Sequence, residues 1–95
     1  MRRGAIFWAV LELRSGSEQR GRRPVVVFSH DAFNEVASWR SIIVVPISTS
    51  NRQKLRSPTV VNLKAGTAGL STDSVVLCHQ ITTIDRAKLE KRLGE

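Results

Sequence analysis

Residues 14–29 read RSGSEQRGRRPVVVFS and contain the change from loop to strand on which the fold depends. Positions 14–22 carry serine and glycine and no apolar side chain, which predicts a loop. Positions 24–29 are β-branched and aromatic behind a proline, which predicts a strand. Pro24 is expected to open that strand, because a proline within it would remove a ladder hydrogen bond. A loop of this length in a compact domain is often functional.

Apolar runs on either side of this stretch predict a mainly β fold. Further strands are expected over residues 5–13, 42–47, 59–63 and 74–80. A second polar and basic loop is expected over residues 48–57 and a turn over residues 65–69. Pro46 predicts that the third strand lies at an edge or carries a bulge.

Helical signals are few. One turn is expected over residues 31–36, with Asp31 as a possible N-cap, and a last short helix over residues 86–93 behind Asp85. Leu89 and Leu93 would share one face of that helix at i, i+4 spacing. Short strands, long loops and one terminal helix favour a small barrel or strongly bent sheet, in a single domain over residues 1–95.

Composition excludes several classes of protein and site. The chain has 95 residues and one cysteine, Cys78, so an internal disulfide framework is excluded and a reducing compartment such as the cytoplasm is favoured. Its apolar runs are too short for a membrane span. Cys78, His79 and His30 do not make a zinc site, and neither a glycine-rich phosphate motif nor a nucleophile elbow occurs. No cofactor or metal is therefore expected.

Positive charge is the other strong signal. Fifteen Lys and Arg against eight Asp and Glu give a net charge of +7, and the cations cluster over residues 14–23, 52–56 and 86–92. Arginine suits bidentate contact with phosphate, so nucleic acid is the favoured partner, with a merely basic surface as the alternative. Cleavage of RNA fits such a chain, because the substrate's own 2′-hydroxyl supplies the nucleophile.

The ordered motifs of the chain resemble the MazF/PemK (Kid) toxins. They comprise Gly16-Ser17-Glu18-Gln19, Gly21, Arg23-Pro24-Val25-Val26-Val27, Val45-Pro46-Ile47-Ser48, Gly69-Leu70, Leu77-Cys78-His79-Gln80-Ile81 and Ile84-Asp85-Arg86. The resemblance implies an SH3-like barrel of the CcdB/PemK type and a homodimer. It also implies a sequence-selective, metal-independent endoribonuclease that cleaves single-stranded mRNA and is neutralised by a cognate MazE-like antitoxin.

The resemblance also implies roles for individual residues. Arg23 matches the family's catalytic arginine, and Ser48, followed by Thr49, stands where a threonine contacts the scissile phosphate. His79 occupies the place of an acid that assists catalysis in some members, and either it shares that work or its face of the strand points elsewhere. Glu18 either orients Arg23 or contacts a base. The remaining expected RNA contacts are Gln19, Arg20, Arg22, Arg52, Lys54, Arg56 and Gln80.

Two other functions stay open. A CcdB-like toxin would bind gyrase and cut nothing, although the ending Arg92-Leu93-Gly94-Glu95 lacks the tryptophan such a toxin uses. A catalytically inactive barrel that binds RNA or an antitoxin is the second alternative, favoured by Ser48 in place of threonine. Trp39 is expected either in a core or interface or stacked on an RNA base, and Cys78 is expected to be buried.

Overall fold

A computed structural model describes residues 1–11, 21–48 and 60–95, with the side chain of Val60 left out. Its strands are β1 (Ile6–Leu11), β2 (Gly21–Val27), β3 (Ser41–Ser48), β4 (Val60–Leu63), β5 (Ser74–Leu77), β6 (Thr82–Asp85) and β7 (Leu89–Gly94). Helical residues are confined to α1 (Asp31–Asn34) and to 3-10 turns at Thr67–Gly69, Cys78–Gln80 and Arg86–Lys88. The described part of the chain is mainly β, which confirms the predicted fold class.

The strands form one antiparallel sheet with β3 at its centre. The order is β4-β5-β3-β2-β1-β7, and β6 pairs with β3 off this path. One side of β3 pairs with β2, whereas the other pairs first with β6 at residues 41–44 and then with β5 at residues 47–48. Of the two alternatives predicted from Pro46, an edge strand or a bulge, the edge strand is wrong, because β3 is a central strand. The position of Pro46 between the β6 and β5 pairings is a break in the ladder, where a missing N–H is tolerated.

Two small cores lie on opposite faces of the sheet, because side chains alternate along each strand. The first core contains Ala9, Leu11, Val25, Val27, Ile42 and Val44. The second core contains Ile6, Ile47 and Leu70, with Val26, Leu63, Ala68, Val76 and Leu93 half-buried against it.

The start of β2 differs from its prediction. Gly21 begins the strand with φ +78°, and Pro24 lies inside it rather than opening it. The recorded β2–β3 pairs run from Val25 to Val27, whereas residues 21–26 pair with β1. Pro24 therefore lies where the strand has a ladder neighbour on one side only, which is where a proline is tolerated.

The predicted C-terminal helix over residues 86–93 is wrong. A 3-10 turn at Arg86–Lys88, capped by the Asp85 carboxylate, leads into β7, which pairs with β1. Two register shifts in that pairing turn the strand, so Leu89 packs on the first core and Leu93 on the second. The i, i+4 leucines do not form one helical face, because the open edge of β1 offers hydrogen bonds along the whole segment.

The connection from β2 to β3 is tied down by polar contacts. The N-cap of α1 is His30 rather than Asp31, with the Ala32 N–H donating to its Nδ1 at 2.9 Å. The Asp31 carboxylate instead accepts the backbone N–H of Arg3 at 2.6 Å, which is the main reason that its pKa lies below the usual value. Within the described ranges no helix is long and apolar enough to cross a membrane.

Candidate functional site

Arg23 on β2 and Ser48 on β3 lie opposite each other when the recorded register of these two strands is extended. Val25 pairs with Pro46, and two further residues along each strand lead to Arg23 and Ser48. The recorded β2–β3 pairs stop at Val25 and Pro46, so this is an extension of the register by two residues, and it keeps Arg23 and Ser48 on one face of the sheet. Arg23 is half-buried and Ser48 is 3% exposed, and both have interaction partners in the structure. The register thus brings together two predicted catalytic residues that are distant in the sequence.

Both predicted RNA-binding segments adjoin this corner of the sheet. Leu11 and Gly21 are paired and bracket residues 12–20, while Ser48 and Val60 bracket residues 49–59. The predicted site residues within these two segments lie outside the described residues: Glu18, Gln19, Arg20, Thr49, Arg52, Lys54 and Arg56. What the structure establishes is that each segment joins the sheet within a few residues of Arg23 or Ser48.

A polar residue that the sequence reading missed lies in the same row. Ser48 pairs with Val75 on β5, and Val75 pairs with Asn62 on β4. These residues share a face, and the exposed Asn62 amide is therefore displayed two strands from Ser48, about 10 Å away at the usual strand spacing. A lone polar residue within the apolar run VVNL was the available signal, but it has meaning only once the register is known.

His79 is not brought to the Arg23–Ser48 corner. β5 ends at Leu77, earlier than predicted, and Cys78, His79 and Gln80 form a 3-10 turn. Since Val75 pairs with Ser48 and β5 runs antiparallel to β3, the backbone of this turn is displaced from Ser48 by roughly 10 Å towards the first residues of β3. His79 is exposed, with its Nε2 at 3.4 Å from the Gln80 Nε2. Cys78 is exposed too, contrary to its predicted burial.

Arg22, a predicted RNA contact, is held by other residues of the chain. Its Nε donates to the Glu90 Oε1 at 2.6 Å, and its guanidinium carbon lies 4.3 Å from the centre of the Trp8 ring. Arg22 and Glu90 side chains are 53% and 42% exposed. These contacts join β2 to β7 across β1, on the face opposite Arg23.

Arg86, in the third basic cluster, is also engaged. Its guanidinium donates to the carbonyl oxygens of Trp39 at 3.0 Å, Val36 at 3.0 Å and Phe33 at 3.3 Å. These contacts hold the segment before β3, in which Trp39 is 46% exposed and its ring lies 5.0 Å from that of Phe33. Trp39 is therefore not a core residue, and part of the basic charge read from the sequence is used inside the fold.

A cavity of about 250 Å³ lies on the other face of the sheet, away from Arg23 and Ser48. Its walls are almost entirely apolar and include Ile6, Val26, Leu63, Ala68 and Val76. It opens beside the second core, so it does not belong to the Arg23–Ser48 corner. Among the residues that the structure describes, no three His, Cys, Asp or Glu side chains come together as a metal site.

Comparison with known proteins follows the whole length of this fold. A family described as PemK-like, MazF-like toxin of type II toxin-antitoxin system matches residues 2–95. An endoribonuclease MazF from Staphylococcus saprophyticus is 37% identical over 93 residues, which are 98% of this chain and 75% of that protein. The likeness therefore includes both strands of the candidate corner.

Solved structures agree with the sequence comparison. MazF from Deinococcus radiodurans superposes with a TM-score of 0.78 at 28% identity, covering 100% of this chain and 80% of that one. A MazE–MazF structure from the same organism gives a TM-score of 0.66 at 26% identity, covering 100% of this chain and 79% of that one. The overall fold is thus shared with these solved structures.

Proposed function

This chain belongs to the PemK-like, MazF-like toxins of type II toxin–antitoxin systems, and from that premise we propose that it is a sequence-selective endoribonuclease acting on single-stranded RNA. It works as a single toxin domain in the cytoplasm, as a homodimer with the predicted SH3-like barrel fold. The observation that supports this proposal is the β2–β3 register, which leads to Arg23 opposite Ser48 when it is extended by two residues from the Val25–Pro46 pair. The relative named an endoribonuclease supports it.

The proposed reaction uses the substrate as its own nucleophile. The 2′-oxygen passes its proton to solvent water and bonds to the adjacent phosphorus, while the bond from phosphorus to the 5′-oxygen breaks and that oxygen takes a proton from solvent water. The products are a 2′,3′-cyclic phosphate and a 5′-hydroxyl, and no metal takes part. Arg23 binds the negative charge that grows on the phosphoryl oxygens, as a guanidinium is suited to do. It is not the base, because a guanidinium cation has no free lone pair with which to accept a proton.

The remaining site residues are proposed to bind and orient RNA. Ser48, nearly buried beside Arg23, and its neighbour Thr49 supply hydroxyls at the scissile phosphate. His79, in the turn after β5, either shares the acid–base work or joins Gln80 in contacting nucleotides next to the cut. The predicted contacts that lie outside the described residues are proposed to bind RNA as well: Glu18, Gln19, Arg20, Arg52, Lys54 and Arg56.

A partner protein is proposed as well. The Deinococcus radiodurans relative forms a MazE–MazF assembly, and we expect a cognate MazE-like antitoxin to bind this chain and block the groove. The chain carries a net charge of +7, which favours an acidic partner as well as RNA. Addition of the antitoxin should therefore inhibit cleavage in proportion to complex formation.

The test is cleavage of a long, defined RNA by pure protein in excess chelator, with the new 5′ ends mapped by primer extension. Cuts at a recurring short sequence are expected. Arg23→Ala should abolish them without changing the circular dichroism spectrum. Arg40→Ala is the matched control, because Arg40 is an exposed cation paired with Asp85 at 3.0 Å, at the far end of β3. Full activity of Arg23→Ala would remove Arg23 from its proposed role.

One observation favours a second candidate. Ser48 is 3% exposed, so a phosphate does not reach its hydroxyl without some rearrangement of the corner. A domain that binds RNA or an antitoxin without cutting would leave Ser48 as a structural residue. That function predicts intact RNA in the cleavage assay together with a measurable, salt-dependent affinity for single-stranded RNA.

A further inference from the structure

Three side chains on neighbouring strands hold one another next to the proposed catalytic arginine. These three residues, the Arg22 trio, are Trp8 on β1, Arg22 on β2 and Glu90 on β7. Arg22 donates to Glu90 at 2.6 Å and lies over the Trp8 ring at 4.3 Å. An ion pair to the carboxylate and a cation–π contact to the ring act on the guanidinium together, which defines its position better than either contact alone.

The trio lies where β2 has the least backbone support. The recorded β2–β3 pairs begin at Val25, so residues 21–24 have a ladder partner only in β1. Pro24 has no N–H to donate, and Gly21 enters the strand with positive φ, a conformation with few steric limits. The backbone holds this strand end from the β1 side only, and the Arg22 side chain adds contacts to β1 and β7.

Arg22 and Arg23 are consecutive residues on opposite faces of β2. A side chain anchored at position 22 fixes the rotation of the strand about its own axis, and that rotation sets where the Cα–Cβ bond of Arg23 points. The other residues of the trio lie on β1 and β7, strands that pair with each other beside β2. The anchor thus ties the strand end to the rest of the sheet.

We propose that Trp8, Arg22 and Glu90 are positioning residues that aim Arg23 at the scissile phosphate, and that Arg22 does not itself bind RNA. The inference rests on the proposed endoribonuclease function and replaces the RNA contact that the sequence predicts for Arg22. A positioning role and an RNA-binding role for Arg22 predict opposite changes in kcat/KM when Glu90 loses its charge. Without the Glu90 carboxylate, a positioning trio loosens, whereas an RNA-binding Arg22 loses an internal competitor for phosphate.

Glu90→Gln is the decisive variant, assayed with a cleavable oligonucleotide that carries the mapped cut site. We expect kcat to fall about tenfold with KM within about twofold of the wild type, because a small displacement of a catalytic group is enough for such a loss. The double variant Arg22→Glu with Glu90→Arg restores an ion pair between β2 and β7 but leaves no cation at position 22 for the Trp8 ring, so it should recover part of the lost kcat. A rise in kcat/KM for Glu90→Gln would overturn the proposal.

A matched control separates positioning from a general loss of charge. Arg92→Gln removes a β7 cation that is also 53% exposed and is paired with Glu95 at 3.1 Å. It should leave kcat unchanged, and an equal loss of kcat in this control would overturn the proposal. Both variants remove exposed pairs, so unchanged thermal unfolding is expected of each.

An NMR measurement that does not need RNA cleavage tests the positioning role separately from the proposed endoribonuclease function. The Nε–Hε NMR signal of Arg23 should shift in Glu90→Gln and stay in place in Arg92→Gln. If the wild-type protein fails to cut RNA, the proposed function fails, while this signal still decides whether the trio orients Arg23. An Arg23 signal that is the same in both variants would contradict the positioning role.

Discussion

Replacement of Arg86 by alanine should destabilise the fold, although the residue looks like part of a basic RNA-binding cluster. Its half-buried guanidinium donates to three backbone carbonyls in the segment before β3, those of Phe33, Val36 and Trp39. Its own backbone N–H donates to the Arg40 carbonyl at 2.7 Å. In the alanine variant these three carbonyls lose a charged hydrogen-bond donor from the turn between β6 and β7.

The size of the effect follows from these contacts. A hydrogen bond from a charged group contributes about 1.5–3 kcal/mol when well formed. One of the three is long at 3.3 Å and the group is partly solvated, so the set is worth about 2 kcal/mol in total. For a domain of this size 1 kcal/mol shifts Tm by about 4–8 °C, which predicts a loss of about 10 °C.

Thermal and urea unfolding followed by circular dichroism would measure this loss. Arg86→Lys should recover less than half of it, because one ammonium group cannot reproduce a planar fork with several fixed donors. Arg40→Ala is the control, since it removes an exposed partner of Asp85 and should change Tm very little. If Arg86→Ala shifts Tm no more than Arg40→Ala, the structural role assigned to Arg86 is refuted.

Two further predictions concern stability. Gly69→Ala should lower the free energy of unfolding measured in urea by more than about 2 kcal/mol, because a Cβ there would collide with the Leu93 carbonyl. Gly66→Ala is the control, because Gly66 also has a positive φ but a Cβ there would meet nothing within 4 Å. An equal loss in both variants would contradict the steric explanation. The Asp85 carboxylate accepts the Ala87 N–H, and this bond, together with the Arg40 guanidinium, lowers the pKa of Asp85 from its usual value of 3.8. On acidification, Asp85 is therefore protonated at a higher pH in the unfolded chain than in the folded chain. Its stabilising contribution is therefore present above the unfolded pKa and is lost as pH falls below about 4, and Asp85→Asn should flatten the acid limb of stability against pH.

Local sequence predicts the strands β1 to β5, but it indicates no strand at β6 and a helix where β7 lies. Residues such as Val25–Val27 and those of β3 have branched side chains that suit a pleated, buried surface whatever their neighbours. The ends of the elements were harder, because they depend on pairing. Pro24 and Pro46 both lie inside strands, at points where the ladder is one-sided or interrupted, and only the register shows this.

The C-terminal segment shows the limit of periodicity. Leu89 and Leu93 have helical spacing, yet the free edge of β1 pairs with this segment and register shifts send the two side chains to different cores. A short helix has weak intrinsic stability, so tertiary hydrogen bonds decide between helix and strand. The sequence carries no local signal of that competition.

For the candidate site too, some features follow from the sequence and others only from the tertiary structure. The sequence by itself determined the mainly β class, the excess of arginine and the family motif that contains Arg23 and Ser48, since these depend on residue type and order alone. Only the tertiary structure decided which charges are engaged inside the fold, as Arg22 and Arg86 are, and that His79 lies away from the corner. The physical reason is that strand register and cross-strand contacts join residues far apart in the chain, and no local pattern encodes those distances.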